Sequence, residues 1–389
     1  MSPTIATGAM MSASPTSAVS PTPIATESNE AGWLESARFD TLFIVWVAAL
    51  ALVSGLIVVA NPSLLVPVIL ADLWLLGYHH VIATYTRLTF DGESFREHRF
   101  MVLVLPWLVL AGTVAAAYFI GTWLVATVYL YWQWFHYTRQ SYGIARVYMK
   151  KADATPEQTN LAIWSMYLVP AFGILYRSIQ PGATFLTMPV KKLPVLLHEF
   201  LHIPQPLAYS GLQIATAIAA VLAFLSLGGW ALTQLTALRT SPKQSALALY
   251  LVSHHLIFLA GYFFIDNIDH GWLVINIWHN AQYILFVWWF NAKKFDKGVS
   301  TKQYFLSWLS QKSMLNIACY FGFTLVLSTA VYLAIILLMG MPPLAAIPAA
   351  SIVTFQAINF HHYIVDGLIW KVRKKKIQTA MGLAAEVAH

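Results

Sequence analysis

Cysteine and charge are what this chain has least of. One cysteine, Cys319, among 389 residues excludes an intrachain disulfide and any cysteine-built metal cage. A metal site here would have to use imidazole, carboxylate or amide ligands. Asp, Glu, Lys and Arg make up only 10% of the residues against 58% hydrophobic, and the mean hydropathy of +0.63 excludes an ordinary water-soluble domain. The first 34 residues lack both a basic leader and a continuous apolar core, so a disordered Ser/Thr/Pro-rich tail is expected there and not a signal peptide. Internal repeats and matched pairs of broken helices, the usual signature of a transporter, are missing. So is any flavin or iron–sulfur motif.

What the chain does have is apolar length. Runs of about 20 apolar residues, enough to cross roughly 30 Å of hydrocarbon, recur from residue 41 onward. Ten are expected, at 41–60, 64–87, 101–120, 122–142, 160–176, 207–229, 244–265, 272–292, 313–340 and 344–370. The expected architecture is therefore all-α, a polytopic membrane bundle over residues 35–372, followed by a basic tail at 373–389. Placing both termini in the cytoplasm puts all but three of the 23 Lys and Arg residues on that side, the exceptions being Arg177, Lys191 and Lys192. The net charge of +7 then reflects topology and contact with membrane lipids, and no nucleic-acid partner is expected. A bacterial cytoplasmic membrane is the simplest location.

The thirteen histidines are distributed unusually for such a protein. His79, His80, His136, His254, His255, His279, His361 and His362 come from five apolar segments. Counted from the cytoplasmic helix ends at about 1.5 Å per residue, His79, His136, His254, His279 and His361 fall within a slab roughly 9 to 20 Å deep. An ionisable group inside a bilayer costs several kcal/mol unless it is paired or metal-bound, so eight together point to a metal. Polar neighbours at helical spacing would orient the rings: Asp72 before His79, Gln133 and Gln140 around His136, Gln282 after His279, and Asp366 four residues after His362. Adjacent residues on a helix point about 100° apart, so one member of each His-His doublet would ligate while the other supports it or serves a second ion. His98, His198, His202 and His270 are further candidate ligands.

Imidazole suits iron, copper and zinc alike, and haem b would need one or two axial histidines. Two non-haem irons with O₂ would use all eight, and that is the reading carried forward. The segment His198-Glu199-Phe200-Leu201-His202 is similar to the first, HExxH-type box of the membrane diiron family of fatty acid desaturases, hydroxylases and alkane monooxygenases. In place of that family's later HxxHH boxes stand Ser253-His254-His255 and Phe360-His361-His362. The resemblance implies a histidine-bound diiron centre that uses O₂ on a lipid. HEFLH also fits the zinc-protease pattern, although Pro194, Pro204 and Pro206 confine its helix to about two turns.

Aromatic residues around the histidines, Trp132 and Trp134 beside His136 and Trp278 and Tyr283 beside His279, suit an apolar slot for a hydrophobic, lipid-like substrate. The expected function is a membrane oxidoreductase that hydroxylates, desaturates or cleaves such a substrate. Its electrons would come from a cytoplasmic donor, a ferredoxin or a reductase. The alternatives are a haem-bearing quinol or electron-transfer subunit, a proton-coupled transporter using Asp72 and Asp366, and a zinc protease.

Overall fold

The computed structural model describes residues 31–342, 344–347, 349–371, 375–381 and 383. The expectations for the N-terminal tail and for the basic tail at 373–389 fall mostly outside the described residues. The long helices are α1 (Ala37–Ala60), α2 (Pro62–Thr89), α3 (Gly92–Phe119), α4 (Thr122–Lys151) and α5 (Pro156–Ile179). A short α6 (Leu193–Leu201) precedes α7 (Gln205–Thr240), α8 (Gln244–Phe264) and α9 (Ile268–Lys294). After the short α10 (Tyr304–Leu309) come α11 (Met314–Met339), α12 (Ala350–Ile369) and the short α13 (Lys375–Ala380). A two-stranded antiparallel hairpin pairs β1 (Thr184–Phe185) with β2 (Met188–Pro189), in register Thr184 to Pro189 and Phe185 to Met188.

Local chemistry explains the breaks. Asn61 caps the turn opened by Pro62, its side chain accepting from the Ser63 amide, and the Asp91 side chain accepts from the Glu93 amide to start α3. Thr155 and Gln158 form a reciprocal capping box with Pro156 in the first turn of α5. Gly121, at φ 121°, separates α3 from α4 in a conformation that side chains resist.

Each expected apolar segment meets a helix, with four departures at the ends or interiors. Helices α4 and α7 continue to Lys151 and Thr240, well past 142 and 229, because polar residues outside an apolar run still propagate a helix. The segment at 101–120 belongs to a helix bent at His98 and interrupted at Val104, where Pro106 in the next turn provides no amide donor. The last segment begins its helix only at Ala350, after Ala349 in the left-handed region at φ 50°.

Among the described residues, seven helices are long and apolar enough to cross a membrane, namely α1, α2, α3, α5, α7, α8 and α11. Large apolar side chains such as Trp107, Leu232 and Val326 face outward on them, as in a protein whose surroundings are lipid. These features mark an integral membrane protein. The other three long helices, α4, α9 and α12, are the more polar ones, and they carry His136, His279 and the His361-His362 doublet.

Helix α9 is the axis of the bundle. From His270 to Ala292 every residue except Leu285 is buried, which a helix achieves only when neighbours surround it. It packs against α1, α2, α4 and α8. Small residues permit the closest approach: a Cβ on Gly271 would overlap the Gly261 carbonyl oxygen of α8. At the end where α9 finishes, Glu35 pairs with Lys293 at 2.7 Å and with Lys312, while Asp91 pairs with Lys294 and accepts from Gln303 at 2.9 Å.

This packing has two measurable outcomes. Gly271→Ala should lower the thermal stability of the purified protein by about 1–3 kcal/mol, the usual cost of overpacking. A melting temperature equal to that of the parent would show that the helix pair separates at no cost. Burial alone would raise the pKa of Glu35 and of Asp91, but the lysines paired with each outweigh it, and both carboxyls sit below their ordinary values. A carboxyl depressed in the folded state adds stability above its unfolded pKa and loses it as pH falls through the folded one. Melting temperature should therefore be flat from neutral pH to about 5 and decline below about 4, and Glu35→Gln should flatten part of that decline.

Candidate metal centre

Four helices each bring one imidazole to a common point: His80 from α2, His136 from α4, His279 from α9 and His362 from α12. All four are buried. Ring centroids lie 5.4 Å apart for His80 and His279, 4.8 Å for His80 and His362, 4.9 Å for His136 and His279, and 5.0 Å for His136 and His362. Nitrogens of His80, His279 and His362 come within 4.8 Å of one another, as do the ligand atoms of His136, His362 and Asp366. His362 belongs to both groups.

The local fold explains which ring of a doublet turns inward. In α2 a wide, π-helical turn over Leu73–Gly77 precedes the His79-His80 pair and rotates the remainder of the helix about its axis. His80 then faces α9 and α12, while His79 faces α11, where Nε2 lies 2.5 Å from the Thr324 hydroxyl and Nδ1 3.2 Å from the Leu75 carbonyl. In α12 His362 faces the cluster. His361 turns away, with Nδ1 3.0 Å from the Tyr85 hydroxyl and Nε2 2.7 Å from the Met101 carbonyl.

Unpartnered ring nitrogens are concentrated in the four clustered histidines. Both nitrogens of His80 and of His279, and Nε2 of His136 and of His362, are buried without a hydrogen-bond partner, as is Asp366 Oδ2. A buried polar atom left unmade costs about 1–3 kcal/mol, so this concentration at one spot needs a chemical explanation. A cation accepting those lone pairs supplies one, and the donors fit it: neutral imidazoles and a carboxylate, the first arranged as a three-histidine group and the second as two histidines and one carboxylate.

Surrounding groups hold the donors in place. Tyr283 donates to Asp366 Oδ1 at 2.6 Å and accepts from the Trp370 indole at 3.0 Å. Thr84, 2.8 Å from the Tyr283 hydroxyl, also lies 3.2 Å from His362 Nδ1, which leaves Nε2 as the free nitrogen. Asp366 Oδ2 is 3.5 Å from that Nε2. Arg87, buried beneath, stacks on Trp370 at 3.9 Å and donates to the Ile369 carbonyl at 3.2 Å. Gln140 donates to the His279 carbonyl at 3.2 Å.

The remaining expected residues lie elsewhere. Both His254 nitrogens are engaged, Nδ1 at 2.8 Å from the Ser141 hydroxyl and Nε2 at 3.2 Å from the Met166 carbonyl. His255 stacks on Trp230 at 4.8 Å, with Nδ1 on the Leu251 carbonyl at 2.5 Å; its Nε2 is buried without a partner, but among the described residues it stands alone there and not in a group of donors. Asp72 pairs with Asn276 at 2.5 Å and with Asn280 at 3.5 Å, and not with His79. Gln133 accepts from Trp272 at 2.7 Å, and Gln282 donates to the Phe43 carbonyl at 3.4 Å, so neither orients a clustered ring. His98 is half-buried at the bend of α3, on the Ser94 carbonyl at 2.9 Å, and His270 starts α9, nine residues before His279.

HEFLH fits neither of its expected patterns. His202 ends α6 in the left-handed region at φ 54°, so it does not share a helix face with His198. Both are exposed, and Glu199 pairs with Lys191 at 2.6 Å.

Trp132 and Tyr283, with His136 and Asp366, line a cavity of about 700 Å³ that runs from the cluster towards Lys150 and Lys371. Trp278 packs instead on Phe258 and His254, and Trp134 on Phe135. Thr84 escaped the sequence reading. Thr84 stands four residues after His80 and Trp370 four after Asp366, a helical spacing that signals a shared face.

No protein-family model, curated protein or solved structure matches this chain.

The hydrogen bonding makes the two sets of histidines respond differently in metal-free protein. His254→Leu strands the Met166 carbonyl, which Pro170 four residues later cannot supply with an amide donor, and should cost about 1–3 kcal/mol of stability. His279→Leu removes two unpartnered nitrogens and should leave the melting temperature unchanged or higher. Equal losses in both would mean that the His279 ring nitrogens are satisfied after all.

Proposed function

We propose that this protein is an integral-membrane oxidoreductase whose non-haem iron is held by His80, His136, His279, His362 and Asp366 and which acts with O₂ on a hydrophobic, lipid-like substrate. The observation that carries the reading is the convergence of unpartnered imidazole nitrogens and a free carboxylate oxygen beside a cavity that His136 and Asp366 line. Four imidazoles and a carboxylate suffice for one ion with room for exogenous ligands, and a second ion would have to share His362. Rings packed at 4.8 to 5.4 Å leave no slot for a haem macrocycle between them. Iron bound there would supply the capacity to bind and activate O₂.

The chain's own residues do the rest. Tyr283 and Thr84 fix Asp366 and His362 so that each presents one free donor atom. Trp132, Phe286 and Trp370 form apolar walls that exclude water and confine a substrate above the donors. Electrons would arrive from a cytoplasmic ferredoxin or reductase. In this reading α4, α9 and α12 also cross the bilayer, giving ten spans with both termini in the cytoplasm of a bacterial cell.

The zinc-protease alternative has lost its motif geometry, and in the transporter alternative Asp72 is tied up by Asn276 and Asn280. Metal analysis with an absorption spectrum tests the proposal. Purified protein should contain iron, one per chain or two if His362 is shared, without a Soret band. His362→Ala should remove nearly all of it and His80→Ala or Asp366→Asn most, while His254→Ala and His361→Ala retain it. Unchanged metal in His362→Ala would sink the site.

A further inference from the structure

The cavity above the histidines is positively charged along its length. Arg139, Arg146, Lys150 and Lys371 line it, and among the described residues its only lining carboxylate is Asp366 at the floor, already bonded to Tyr283. None of the four cations forms an ion pair among the described residues. Arg139 donates to the Tyr167 hydroxyl at 3.0 Å and Lys150 to Gln378 at 3.3 Å, both neutral partners. Cations at a helix end ordinarily anchor it in the interface. These line one partly open cavity that also reaches His136 and Asp366, which anchoring does not require.

One helix lays out the whole path. His136, Arg139, Gly143, Arg146 and Lys150 of α4 all line the cavity, at spacings of three and four residues that keep them on one face. Gly143 is the open point in that stripe, since a Cβ there would meet no atom within 4 Å. Opposite, α12 carries Asp366 at the floor with Gly367 beside it, and Lys371, two residues beyond its end, lies towards the mouth. The rise from His136 to Arg146 is about 15 Å.

We infer that this cavity binds an anionic amphiphile, with a carboxylate or phosphate head held by Arg146, Lys150 and Lys371 and an apolar chain passing Gly143 and Gly367 to reach His136 and Asp366. Its role as the substrate class rests on the iron reading above. Oxidation would then fall on the chain far from the head group. Arg146 offers a planar fork matched to either kind of head, and the two lysines add point charge.

The test is equilibrium binding of palmitate and of 1-hexadecanol to the full chain in phosphatidylcholine nanodiscs. Palmitate should bind at least tenfold more tightly than the alcohol. The triple variant Arg146→Gln, Lys150→Gln, Lys371→Gln should erase that preference with bound iron unchanged, and the conservative Arg146→Lys, Lys150→Arg, Lys371→Arg should keep it. Gly143→Leu should block both probes. Equal binding of acid and alcohol, or a preference that survives the triple variant, overturns the inference. Phosphatidic acid added to the nanodiscs that displaces palmitate assigns the head-group site to a membrane lipid, and failure to displace assigns it to a free single-chain anion. Iron measured on the same samples keeps the two readings apart. Iron-free protein that still prefers palmitate overturns the metal centre alone, and iron-loaded protein without the preference overturns this inference alone.

Discussion

The expense of keeping an uncompensated polar atom away from water governs this structure. In a lipid-facing bundle there is no solvent to repair a missing hydrogen bond, so almost every buried histidine has been given one. His79, His254 and His361 each use both ring nitrogens on hydroxyls and carbonyls of neighbouring helices. Against that background the four rings at the centre stand out. They have been brought together, oriented and buried, yet left with lone pairs that no protein group meets.

The architecture serves that one spot. The helices carrying His136, His279 and His362 are too polar to count among the seven strongly apolar ones, and α9 is buried almost along its whole length. The more apolar helices insulate them. Around the donors, Tyr283, Thr84, Trp370 and Arg87 form a tier that fixes geometry without occupying the free atoms. Farther out, Asp72, Asn276, Tyr137, Gln133 and Trp272 make a second buried polar chain, which ties α2, α4 and α9 together. Such a network specifies how helices meet as much as it stabilises them.

Much of this was readable from composition and spacing. Apolar length announced the helical membrane class, and runs of about 20 residues located the helices. Depth counting selected eight histidines from thirteen, and the four that meet are among them. Helical spacing found Asp366 beside His362, but the same rule misassigned Asp72 to His79, because seven residues along a helix specify a face and not the neighbour across it. Periodicity says nothing about which of two adjacent rings looks inward. That choice depends on rotation of the whole helix in the bundle and, in α2, on a turn with no obvious sequence mark. HEFLH misled for a related reason: its spacing presumes an intact helix, and α6 stops at Leu201.

The wide turn at Leu73–Gly77 has one more implication. It works as a phase setting for every later residue of α2, and the doublet it controls holds two chemically identical rings about 100° apart. Straightening that turn would advance the rest of the helix by one position, presenting His79 to the centre and carrying His80 about 100° further round. A helix with one spare residue and two equivalent rings therefore carries two registers in a single sequence, and a one-residue deletion upstream of the pair would be absorbed where elsewhere in the bundle it would be fatal.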